Sequence, residues 1–249
     1  MSELVSAEAF EQKAKRRLEP STYSFYAGGA GAETTLEDNL AAFRRWYLRP
    51  RVLADVGQVT TTIQVLATEV ALPVLLAPVA FQSLAQPQGE LAAARAAAAA
   101  GTIYCLPTIS GVSPGECAQA APPGQCWFQL YWSRDRGFTR ELLERVAEAG
   151  FSALLLTVDL PVFGHRDRER RSGFAFPAGV PLPNVSPELL PLGSGHGHMV
   201  DPTLTWRDLE WLQETARLPL VLKGAEGAGA RRPRRPDRTG LHLGARGRG

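Results

Sequence analysis

The stretch SALLLTVD, residues 152–159, decides how this chain is read. Residues 153–156 are apolar without a break, so neither face of the segment is polar. A strand of that kind is covered on both sides, as in a parallel sheet flanked by helices. It closes on Thr157 and Asp159, two residues with chemistry to offer. The same design recurs on either side. Upstream lie QCWFQLY (125–131), TIYCL (102–106) and VLLA (74–77); downstream lies PLVLK (219–223). Helical segments separate them. ELAAARAAAAA (90–100) stops at Gly101, and residues 135–149 stop at Gly150. Ser113, Pro114 and Glu116 mark a helix start by cap, first-turn proline and capping-box acid. Thr205 and Asp208 box the start of TWRDLEWLQETA (205–216).

Strand alternating with helix predicts an α/β fold with a parallel sheet, either an open doubly wound sheet or a (β/α)8 barrel. No GxGxxG follows the first strand, which weighs against a dinucleotide-binding fold. Three helices are expected ahead of the sheet. One follows Ser6, one covers 22–27 and stops at Gly28–Gly29, and one is LEDNLAAFRRW (36–46), capped by Thr35 with Asp38 as its capping-box acid. A Pro/Gly-rich insertion runs from the fourth strand to about Pro202.

In both architectures ligands bind at the C-terminal ends of the strands. Those ends are Pro78-Val79-Ala80, then Thr108 and Ser110, then Gln129 and Tyr131, then Thr157 and Asp159, and finally Lys223. Convergence on one rim would make a site. The competing explanation is that strand ends are more polar than strand middles everywhere.

The 249 residues suit one large domain, and 45% of them are hydrophobic, enough for a sizeable core. The formal charge of +2 is uneven. Residues 225–249 hold seven Arg against Glu226 and Asp237, which leaves a body of net −3. That is not the balance of a general nucleic-acid binder. Cys105, Cys117 and Cys126 form no CxxC pair and predict a reduced, cytoplasmic protein. The N-terminus lacks the apolar core of a signal peptide, and LAAARAAAAAG is too short to span a bilayer. His196 and His198, two apart in a glycine loop without acidic or Cys neighbours, are read as loop, so no metal is expected.

Six separated segments carry a resemblance: FYAGGAGAETTLEDN (25–39), FRRWYLRPRVL (43–53), LLAPVAFQSLAQPQGE (75–90), WFQLYWSRDR (127–136), LLLTVDLPVFGHRDRERRSGF (154–174) and LTWRDLEWLQETARLPLVLKG (204–224). In order and spacing the chain, from about Phe10 to Gly224, resembles the FMN-dependent 2-hydroxy-acid oxidases and dehydrogenases. The resemblance implies a (β/α)8 barrel, here about five strands of eight with N-terminal helices. It also implies an oxidoreductase that turns 2-hydroxy acids into 2-oxo acids with FMN. By position, the backbone of Pro78, Val79 and Ala80 would lie along the flavin ring. Gln129 and Thr157 would bond its polar edge, and Lys223 would stabilise the negative charge of the reduced ring. Tyr131 would bond the substrate oxygen, and Arg166 the substrate carboxylate. Taken alone, Tyr131 would be core, Arg166 part of a charged loop and Lys223 a surface lysine.

Two positions depart from the pattern. Phe25 stands where oxidases of small hydroxy acids often have tyrosine, which implies a larger or more apolar substrate. Pro107 stands where a flavin-contacting serine is usual, and Thr108 is the candidate to replace it. The family's base, a histidine in a Ser-Asn-His-Gly-Gly-Arg-Gln segment, has no counterpart; His242 in TGLHLGARG does not match. The glycine-rich turns that hold the flavin phosphate are also missing. The expected division is a partial FMN-binding barrel at 1–224 and an Arg/Gly/Pro-rich tail at 225–249. The tail's composition is too poor in apolar residues to fold and is what an out-of-frame reading of a GC-rich gene gives. The expectation is therefore a truncated enzyme, inactive or impaired, with two unpaired sheet edges. The alternatives are a non-catalytic flavin-binding or assembly half-barrel, homo-oligomeric or paired with a complementary half, and an arginine tail that contacts nucleic acid. The acidic body and the lack of interleaved aromatics disfavour the last.

Overall fold

A computed structural model describes residues 4–177, 179–186 and 201–225. The expectations for His196, His198, His242 and residues 226–249 lie outside the described residues. Three helices come first: α1 (Ala7–Arg17), α2 (Pro20–Ala27) and α3 (Thr34–Phe43). A short antiparallel hairpin follows, β1 (Ile63–Val65) with β2 (Thr68–Val70). Then come α4 (Gly89–Ala99), β3 (Tyr104–Pro107), α5 (Pro114–Ala118), β4 (Cys126–Leu130), α6 (Arg136–Glu148), β5 (Ala153–Thr157), α7 (Asp167–Ser172), α8 (Asp208–Ala216) and β6 (Leu220–Lys223). The sheet order is β3-β4-β5-β6, every pair parallel. Over the described residues this is an α/β partial barrel whose sheet stays open.

Burial follows the sequence pattern. β3, β4 and β5 are buried at every residue. Their side chains divide between two layers, as period-two alternation requires. Leu106, Phe128, Leu154 and Leu222 face the helices with Leu142, Leu143, Val146 and Leu212. Ile103, Cys105, Trp127, Leu155 and Val221 face the opposite side, where Val65 and Val70 of the hairpin cover them. The helix starts read from sequence include two that are made as expected. Ser6 accepts the N–H of Ala9, and Ser113 with Glu116 forms a full capping box.

Three elements differ from expectation. The last helix starts at Asp208 after Arg207, which gives no side-chain cap, and not from Thr205; Asp208 does accept the N–H (2.8 Å) and hydroxyl (2.9 Å) of Thr205. The third helix is not capped by Thr35 and Asp38. It starts two residues earlier, at Thr34 after Glu33, which is left-handed (φ 62°), and Asp38 instead pairs with Arg45. The 74–77 strand shrinks to a single bridge, Leu76 to Tyr104. Leu76 donates to Ile103 O (3.0 Å) and accepts from Cys105 N (3.0 Å). The next donor in step would be residue 78, a proline with no N–H, and the preceding one, Val74 N, is bonded to Leu72 O. The ladder therefore cannot lengthen in either direction.

Candidate active site

Parallel pairing puts the C-terminal ends of β3 to β6 on one rim, and Thr108 organises that rim. In ladder register its N–H would be next to meet the Gln129 carbonyl. Instead the Thr108 hydroxyl donates to Gln129 O (2.6 Å) and accepts the N–H of Tyr131 (2.9 Å). The freed Thr108 N–H donates to Gln129 Oε1 (3.2 Å), and Gln129 Nε2 donates to Thr157 Oγ1 (2.9 Å). Thr108, Gln129 and Thr157 are thus one buried hydrogen-bonded chain across β3, β4 and β5. Buried polar groups linked in this way hold fixed orientations. Each bond leaves donor capacity: a second N–H on Gln129 and the hydroxyl hydrogen of Thr157.

Lys223 stands beside Thr157 in register, with Nζ 3.5 Å from Asp159 Oδ1. Burial first, and the Asp159 carboxylate second, raise the pKa of the Tyr131 hydroxyl. Asp159 therefore acts electrostatically on Tyr131 and pairs with Lys223. Sequence reading gave Asp159 no role, although it ends the decisive stretch. Gly224 (φ +85°) makes room for it: a Cβ there would come well inside 3.0 Å of the Asp159 side chain.

Phe25, Ala80 and Tyr131 belong to one apolar cluster built on Phe81, Ile109 and Val185. The Phe25 ring stacks on Phe174 at 4.6 Å and meets Phe176 edge-on at 5.8 Å. Arg166 Nη2 donates to Phe25 O (2.6 Å) and Gly28 O (3.0 Å), and its Nε pairs with Glu169. Arg168 adds Ala27 O (3.2 Å) and Glu33. The segment expected as a charged loop is α7, with Arg166 at its N-cap, and Arg166 and Arg168 thus satisfy carbonyls at the C-terminus of α2, where a helix exposes them. Sequence reading missed this clamp; the basic residues just before Phe174 were its only trace. Val79 is 44% exposed and Pro78 and Ala80 half-buried, while Gln82 Nε2 donates to Val79 O (3.2 Å). Thr108, Gln129, Tyr131, Thr157 and Lys223 are therefore brought together. Phe25 and Arg166 join them through the aromatic cluster, and residues 78–80 line the edge of the rim. No cluster of three or more His, Cys, Asp or Glu occurs among the described residues, and no described helix is long and apolar enough to cross a membrane.

A parallel sheet backed by helices, with donors and a lysine collected at its C-terminal rim, is the arrangement in which (β/α)8 barrels place their ligand sites. The chain belongs to the FMN-dependent dehydrogenase family, whose model matches residues 14–229. It is 47% identical over 228 residues to the L-lactate oxidase of Nostoc sp., covering 86% of this chain and 62% of that protein. It is 40% identical over 233 residues to glycolate oxidase 3 of Arabidopsis thaliana, covering 89% and 62%. Its fold matches a mandelate oxidase crystallised with (S)-4-hydroxymandelic acid, with a TM-score of 0.79 at 39% identity, covering 88% of this chain and 64% of that one. A mandelate oxidase variant with a C4a-OH-FMN adduct matches with a TM-score of 0.76 at 39% identity, covering 86% and 60%. The chain spans about three-fifths of the length of these relatives.

Proposed function

We propose that this chain supplies the flavin-ring and substrate-orienting part of an FMN-dependent enzyme that oxidises 2-hydroxy acids to 2-oxo acids. The observation that carries this reading is the Thr108–Gln129–Thr157 chain ending beside Lys223. Its unused donors and fixed cation suit the carbonyl-rich, charge-accumulating side of a flavin. FMN, when bound, accepts two electrons and the hydrogen of the hydroxyl-bearing carbon. Pro78, Val79 and Ala80 line the ring, Tyr131 bonds the substrate oxygen and Arg166 offers its remaining donors to the carboxylate. The Phe25, Phe174 and Phe176 rings favour an apolar side chain on the substrate. Three buried free thiols suit a reducing compartment, so the cytoplasm is the proposed location.

Residues 1–249 contain no match to the family's histidine and arginine segment, so these residues by themselves are proposed to hold flavin without turnover. This is the non-catalytic half-barrel reading, and it is favoured by the open sheet. The test is an FMN titration of the purified chain, followed by flavin fluorescence, with L-lactate, glycolate and mandelate then added under air. Binding without product, weakened about tenfold or more by Lys223→Met, is expected. No FMN binding by the folded chain would refute the site. Turnover would refute the need for the missing histidine.

A further inference from the structure

Among the described residues, the longest exposed run is the arm that leaves the end of α3 and enters β1. Every residue from 43 to 64 is exposed. The first half of the arm is not polar. Phe43, Trp46, Tyr47, Leu48, Val52 and Leu53 are each at least 82% exposed. Apolar exposure on this scale marks an interaction surface. Interleaved with these side chains are Arg44, Arg45, Arg49 and Arg51, and no acid lies between Asp38 and Asp55. Arg45 pairs with Asp38, whereas Arg44, Arg49 and Arg51 form no ion pair with a described residue. The backbone is equally uncommitted. Trp46 N–H meets Phe43 O (3.3 Å), and past it no backbone N–H or C=O of residues 47–56 bonds to a described residue.

We propose that residues 43–53 dock on an anionic lipid surface and hold the chain at the membrane peripherally. Charge and ring chemistry select that partner. Trp and Tyr rings settle at headgroup level, where one end of the side chain is apolar and the other wet. Guanidinium groups pair with lipid phosphates through two N–H donors. A basic cluster is drawn to the negative surface potential of an anionic leaflet. A nucleic-acid strand would engage the arginines and the rings but leave Leu48, Val52 and Leu53 in water. The backbone sets the depth. Unpaired N–H and C=O groups are not tolerated in hydrocarbon, so the arm lies among headgroups and water and does not cross. The flavin rim takes no part, and the readouts below do not use flavin.

The experiment sediments the full 249-residue chain with vesicles of phosphatidylcholine alone and of phosphatidylcholine mixed with phosphatidylglycerol. Residues 225–249 hold seven further arginines, so a second full-length form with those seven changed to glutamine runs beside it. Both forms should bind the mixed vesicles and neither the neutral ones. Raising salt from about 0.05 to 0.5 M should weaken binding at least about tenfold, because screening shortens the reach of the arginines. Changing Arg44, Arg49 and Arg51 together to glutamine in the second form should weaken it about a hundredfold. These positions are exposed, so the fold is untouched. Bromine-labelled lipid should quench tryptophan emission of the second form, and Trp46→Phe should bind equally well without quenching. Several outcomes overturn the proposal: equal binding to neutral vesicles, loss of binding when only the 225–249 arginines change, or quenching that persists in Trp46→Phe. So does a folded chain that binds no vesicle, or one that takes a single-stranded oligonucleotide in preference to the mixed vesicles.

Discussion

Replacing Thr108 by valine removes one hydroxyl and almost no volume. Two groups lose their partner at once: the Gln129 carbonyl, bonded at 2.6 Å, and the Tyr131 N–H, bonded at 2.9 Å. Thr108 is 3% exposed and Gln129 2%, so water does not replace the hydroxyl. An orphaned buried polar group costs about 1–3 kcal/mol. Tyr131 is only partly buried, which lowers its share, so the pair comes to about 2–4 kcal/mol. The Thr108 N–H bond to Gln129 survives the change, and no cavity forms. Urea unfolding followed by tryptophan fluorescence is the assay, because Trp127 and Trp132 flank Gln129 and are each 1% exposed. With a slope of about 2 kcal/mol per molar, the midpoint should fall by about 1–2 M. Thr108→Ser keeps the hydroxyl and should fall by less than half as much. A Thr108→Val shift under about 0.5 kcal/mol, or a serine variant as weak as the valine one, would mean that the hydroxyl is not the keystone of the rim.

Gly224→Ala should destabilise by about 1–2 kcal/mol from the left-handed backbone alone, with more from displacing Asp159; thermal melts read this, and an unchanged melting temperature would count against the close approach. Glu116 is held below the usual carboxylate range, first by the Ser113 N–H and then by the Ser113 hydroxyl. A depressed carboxylate contributes stability above the unfolded-state range and loses it as pH falls through the folded value. Wild type should therefore exceed Glu116→Gln by about 0.5–1 kcal/mol at neutral pH, and the gap should close in acid; a gap that widens in acid reverses the assignment. Burial pushes the Cys105 thiol up to about 12, and Cys117 and Cys126 are as deeply enclosed. None of the three should react with a thiol reagent at pH 8 until the chain is unfolded, when all three should; fast native labelling would show that the core opens.

Most of the fold was legible because it is local. Unbroken apolar runs with glycine stops between them do not depend on distant partners, so β3 to β6 fall where the runs lie. Ser113 and Glu116 box their helix because all the atoms involved lie within four residues. Legibility failed where a distant group competes. Glu33 is drawn away by Gly29 and Arg168, so α3 starts ahead of Thr35. Residues 74–77 have a strand's composition but lack a second neighbour, and prolines flank them.

The same division holds at the candidate site. The residue types at the strand ends are written in the sequence, because a parallel strand can only deliver its last residues to one rim. Which of them touch is not written there. Thr108 spans to Gln129 and Tyr131, Asp159 closes on Lys223, and Arg166 reaches Phe25 across 141 positions of chain. Such contacts depend on how strands align in register and on how residues 160–177, with α7 among them, fold back over α2. The sequence alone determined a parallel α/β chain with polar strand ends, since those follow from burial and periodicity. Only the tertiary structure decided that Thr108 does the work a ladder N–H would have done, because hydrogen bonds between strands are set by register and not by composition.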